Sequence, residues 1–109
     1  MELKHDRPFV ERQTGKCLSV LWKLISEKAK EDSRPPLCSR NIITDFRRKA
    51  LFLRVGRRLL ELFVLGDIDN EGHCHIIQNL DDTTHAPEWL TQDAINEMVA
   101  TANSSLSGE

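Results

Sequence analysis

The sequence predicts an α+β domain: an N-terminal helix, a central antiparallel β-hairpin or three-stranded meander, and a C-terminal helix packed on the sheet. Three observations lead there. Apolar residues recur at spacings of three and four near both ends of the chain; the middle is apolar and alternating around the turn-forming stretch Asp69-Asn70-Glu71-Gly72; and Pro35-Pro36 stops the first helix. A chain of 109 residues has the size of a single domain with one core. That domain spans residues 1–109, with 1–8 and 103–109 expected as flexible termini.

The first helix is expected over residues 9–32. Cys17, Leu18, Leu21, Trp22, Leu24, Ile25 and Ala29 form its apolar face, and Lys16, Lys23, Glu27, Lys28, Lys30 and Glu31 the other. Asp6 is a candidate cap for an earlier start, but Gly15 weakens the first turns, so the secure part begins near Lys16. Residues 39–56 have two readings. Phe46, Ala50, Leu51, Leu53 and Val55 fit a second helix capped by Ser39 or Asn41 and ended by Gly56, while Leu51 to Val55 fits a strand.

From Arg58 onward the extended reading is better. Leu60, Leu62, Val64, Gly66 and Ile68 would share one side, Gly72 suits the left-handed position of a tight turn, and Cys74 to Ile77 forms the return strand. If Gly56-Arg57-Arg58 also turns, a meander runs from Leu51 to Asn79. The last helix is expected from near Pro87, with Thr84 or Ala86 at its entry and Leu90, Ala94, Ile95, Met98 and Val99 as its stripe.

Charge is distributed unequally. Residues 1–58 hold all 15 Lys and Arg for a net +8, while residues 59–109 hold no base and net −10. Such asymmetry points to a charged partner or to internal neutralisation. Arg47, Arg48, Lys49, Arg54, Arg57 and Arg58 form the densest basic cluster, and as a nucleic-acid contact they would act through the phosphate backbone. Pairing with the carboxylates of the second half is the favoured alternative, because no nucleic-acid-binding motif is present.

Three cysteines at wide spacing, Cys17, Cys38 and Cys74, argue against a disulfide framework, which points to a reducing, cytoplasmic setting. The opening residues lack a signal-peptide pattern, and no apolar run is long enough to span a bilayer. His73, Cys74, His75 and His85 are metal-ligand types, yet alternation separates Cys74 from its neighbours, so no metal site and no cofactor is expected. Asp67 to Gly72 matches the start of a calcium loop, but Gln78 stands where that loop needs Glu. No nucleophile elbow, phosphate loop or zinc-protease motif is present, so no enzyme activity is expected.

The remaining candidate is an interaction surface. In regular alternation, Leu60, Leu62 and Val64 occupy one face of the strand and Leu59, Phe63 and Leu65 the other, interrupted only by Glu61. A sheet with helices on one side leaves the other face wet, so a doubly apolar strand needs a helix on each side or a second subunit. Leu59, Glu61, Phe63 and Leu65 are therefore the candidate partner-binding residues. The expected function is a small protein-binding regulator or adaptor, dimeric, with nucleic-acid binding as the alternative.

Overall fold

A computed structural model describes residues 6–79 and 87–107 of the chain. They form helix α1 (Arg7–Asp32), a single 3-10 turn (Ser39–Asn41), strands β1 (Ile42–Asp45), β2 (Ala50–Val55), β3 (Arg58–Leu65) and β4 (Ile76–Asn79), and helix α2 (Gln92–Ser107). All four strands pair antiparallel in the order β1-β2-β3-β4. The predicted α+β class holds, and the sheet has one strand more than the meander.

Helix α1 starts early because its first turn is well supplied. Asp6 accepts a 2.8 Å hydrogen bond from the Phe9 N–H, and Pro8 lies where helical N–H groups need no partner. Such a cap, together with packing, outweighs the roughly 1 kcal/mol that Gly15 costs. Thr14, Leu18, Leu21, Ile25 and Ala29 form a buried stripe at helical spacing, with Gln13 and Cys17 beside it. After Asp32 the chain turns away through Ser33, whose N–H still reaches the Ala29 carbonyl, and Arg34–Pro35 is a cis peptide.

The second-helix reading of residues 39–56 is overturned. Helical geometry survives only for the single turn Ser39–Asn41; strands β1 and β2 follow. Two long-range bonds hold β1 in place: the Trp22 indole N–H donates to the Ile42 carbonyl at 2.8 Å, and the Asn41 amide donates to the Arg54 carbonyl at 3.0 Å. In β2, Leu51 and Leu53 enter the core while Phe52 between them stays outside it, the alternation of a strand. Gly56 at φ 62 opens the two-residue turn between Val55 and Arg58, a position that L side chains rarely adopt.

The β3–β4 connection is longer than a tight hairpin. Residues 66–75 form an ordered loop closed by bonds from the Gly66 N–H to the His75 carbonyl at 2.8 Å and from the Asp69 N–H to the His73 carbonyl at 3.0 Å. Gly72 has φ 84, the left-handed geometry expected of it, and the buried Gln13 amide donates to its carbonyl at 3.2 Å. Four residues from Gln13 along the same helix, Cys17 forms a disulfide with Cys74, their Cα atoms 6.7 Å apart. This corrects the expectation from cysteine spacing. Both residues are fully buried, and the fold brings together positions separated by 57 in sequence.

Helix α2 begins later than expected. Pro87 to Leu90 make a turn, with the Leu90 N–H bonded to the Pro87 carbonyl, and the Thr91 hydroxyl accepts from the Ala94 N–H at 3.1 Å, so Thr91 is the cap. Thr84 and Ala86, the entry expected from sequence, lie outside the described residues. The helix also continues through 103–107, where a frayed tail is expected. Leu106 is buried, and the Asn103 amide both donates to the Cys74 carbonyl at 3.0 Å and accepts from its N–H at 2.8 Å.

One core cluster joins Leu18, Leu21 and Ile25 of α1 with Leu51, Leu53, Phe63 and Leu65 of the sheet and Ile95, Met98 and Ala102 of α2. Both helices therefore pack on the same face. No described helix is long and apolar enough to cross a membrane.

Candidate functional site

Strand β3 decides which apolar residues reach the surface, and it does not alternate regularly. Pairing passes from Leu51 with Phe63 to Phe52 with Glu61, leaving Leu62 as an extra residue in a bulge. Leu62 and Phe63, adjacent in sequence, are both fully buried in the core cluster. The bulge shifts the pattern by one residue, so Leu60, Leu62, Phe63 and Leu65 face the helices, while Leu59, Glu61 and Val64 face away.

The proposed partner-binding set is thereby divided. Phe63 and Leu65 are 0% exposed and belong to the core. Leu59 is 55% exposed, and Glu61 is half-buried on the outer face. Register adds residues that sequence reasoning missed. Phe52 lies opposite Glu61 on one side and Ile43 on the other, Ala50 lies opposite Val64, and Arg54 opposite Leu59. The outer face therefore carries Ile43, Ala50, Phe52, Leu59 and Val64 with Arg54, Glu61 and Asp45, and both described helices pack on the other face. Phe52 is 9% exposed and Leu59 55%, so among these residues Leu59 is the most exposed; Ile77 of β4, at 70%, is the other strongly exposed apolar residue of β3 and β4. The signal that could have found Ile43 was the β-branched pair Ile42-Ile43, too short to show a period.

The basic cluster is split. Arg47, Arg48 and Lys49 occupy the loop between β1 and β2, and Arg54, Arg57 and Arg58 gather at the opposite end of β2, roughly 17–20 Å away at strand spacing. Arg48 pairs with Asp45 at 3.7 Å, and Lys49, in left-handed geometry at φ 56, pairs with Asp67 at 3.0 Å. Asp67 is the only carboxylate of the acidic half that a base of this cluster reaches among the described residues. Pairs this exposed contribute about 0–1 kcal/mol each. Arg47, Arg54, Arg57 and Arg58 form no ion pair among the described residues.

The metal-ligand candidates are mostly committed elsewhere. Cys74 is in the disulfide, and His85 lies outside the described residues. Asp69, Glu71 and His73 bring one ligand atom each within 4.8 Å of one another. Both Asp69 oxygens, however, are bonded within the loop: one accepts from the N–H groups of Glu71 and His73 at 2.9 Å each, and the other lies 2.6 Å from His75 Nε2. This group is a loop clamp.

The His75 bond foremost, then the His73 N–H, holds the Asp69 carboxyl down at about 2 against an ordinary 3.8. A carboxyl lowered by folding adds stability that is fully present above its unfolded value and is lost as pH falls through the folded one. The stability difference between the wild type and Asp69→Asn is therefore expected to shrink as pH falls from about 4 to about 2. Urea unfolding at each pH measures it; a difference independent of pH would remove the clamp from the account.

Compared with known proteins, the chain matches no family model, no curated protein and no solved structure.

Proposed function

We propose that the chain is a small protein-binding adaptor, without catalytic chemistry of its own, that works through the outer face of its sheet and assembles there with a second copy of itself. One observation carries the reading: both described helices pack on one face of the sheet, and Ile43, Phe52, Leu59 and Val64 lie on the other. An apolar face of an antiparallel sheet gains by leaving water. The reading makes no use of a reducing compartment, since the disulfide removes the ground for expecting one.

Nucleic-acid binding has weaker support, because its six bases divide between the two ends of β2 and two of them are paired.

Sedimentation velocity over a concentration series tests the assembly. The expected result is a shift from the 12.5 kDa monomer to a dimer, abolished by Leu59→Arg with the circular dichroism and melting temperature unchanged. A strict monomer at the highest concentrations, or a dimer indifferent to Leu59→Arg, would reject it.

A further inference from the structure

At the end of the sheet that carries Gly56, the chain leaves a hollow between the segment following α1 and the β2–β3 hairpin. We propose that this hollow binds an aliphatic carboxylate, with the tail against its apolar walls and the head group on Arg58. Its volume is about 330 Å³, at the lower end of the roughly 300–1,000 Å³ of small-molecule sites. Leu37, Leu53, Val55 and Leu60 supply the walls. Leu53 is fully buried and forms the floor, whereas Val55 is 48% exposed at the mouth. The hollow thus passes from the core edge to solvent, as a site for an amphipathic molecule must.

Among the described residues, the charged groups that line the hollow are Arg34 and Arg58, and no carboxylate does. The Arg34 Nη1 donates to the carbonyls of Glu31 and Ser33 at 2.8 Å each, which fixes the guanidinium at the rim. Asp32 and Glu88 line a neighbouring hollow that also includes Arg34, so part of its charge is offset from that side. Arg58 forms no ion pair among the described residues and takes the head group; Arg34 supports it. Guanidinium is the side chain best matched to a carboxylate, which it holds through two parallel N–H bonds. The volume suits one unbranched tail. This site lies on the helix side of the sheet, away from Leu59 and its neighbours, and does not depend on the proposed assembly.

Isothermal titration of the full chain with sodium decanoate, kept below its micelle concentration, tests the proposal. Saturable binding at one site is expected, with decanol bound roughly tenfold more weakly because it lacks the charge. Arg58→Glu is expected to weaken decanoate by tenfold or more and leave decanol unchanged, while Val55→Trp, which fills the mouth, abolishes both. Leu59→Arg on the outer face alters neither. The proposal is overturned if decanoate gives no saturable heat, if decanoate and decanol bind equally, or if Arg58→Glu leaves decanoate binding intact.

Discussion

Reduction of the Cys17–Cys74 bond is expected to lower the unfolding free energy by up to about 4 kcal/mol. The two cysteines are separated by 57 residues, and a cross-link closing a loop of that length removes about this much chain entropy from the unfolded state. The loss is large against a total stability of about 5–15 kcal/mol for a domain of this size. The folded state keeps its other ties to the loop: Gln13 still holds the Gly72 carbonyl, and Asn103 still holds both backbone groups of Cys74. Reduction should therefore weaken the fold rather than redirect it, moving the urea midpoint down by more than about 1 M. Alkylation supplies the independent check. Cys38 is exposed, and hydrogen bonding from the Arg40 backbone, foremost, lowers its thiol below the usual value, so it should react readily in the native protein. Cys17 and Cys74 should react only after reduction and unfolding. Three alkylated cysteines without reductant, or an unchanged midpoint on reduction, would show that the bond does not form.

The class of the fold was legible because it rests on period. Leu18, Leu21 and Ile25 repeat at helical spacing, Leu51 and Leu53 alternate, and Pro35-Pro36 separates the two regimes. Features that depend on distant partners were not legible. Strand β1 is four residues long and owes its place to Trp22 and Asn41, which reach it from elsewhere in the chain. Cys17 fits the apolar stripe of α1 as well as a leucine would, so nothing local marks it as half of a disulfide. The last turns of α2 look polar, yet Asn103 finds its partners on Cys74, some thirty positions back. The site was half legible for the same reason. An apolar β3 can be read from composition, but the face each residue takes depends on the bulge, and a bulge is a property of the pair of strands.

That dependence makes neighbouring apolar residues of β3 differ sharply in cost. Phe63→Ala is expected to destabilise the domain by about 3–5 kcal/mol, since it empties a fully enclosed site in the core cluster that both helices share with the sheet. Leu59→Ser, four positions earlier and on the same face in a regular strand, is expected to cost about 0.5 kcal/mol or less in the monomer, because Leu59 is already 55% exposed. Urea unfolding of the two variants at concentrations that hold the chain monomeric measures the contrast. The shift follows from Leu62: as the extra residue opposite Leu51 and Phe52, it lets Phe63 turn inward beside it. Equal costs at the two positions would restore regular alternation, return Phe63 to the outer face and remove the basis for treating Leu59 as the centre of a docking surface. Unequal costs in the stated order leave the outer face with an apolar residue that contributes little to folding, and its contribution then has to be sought in assembly.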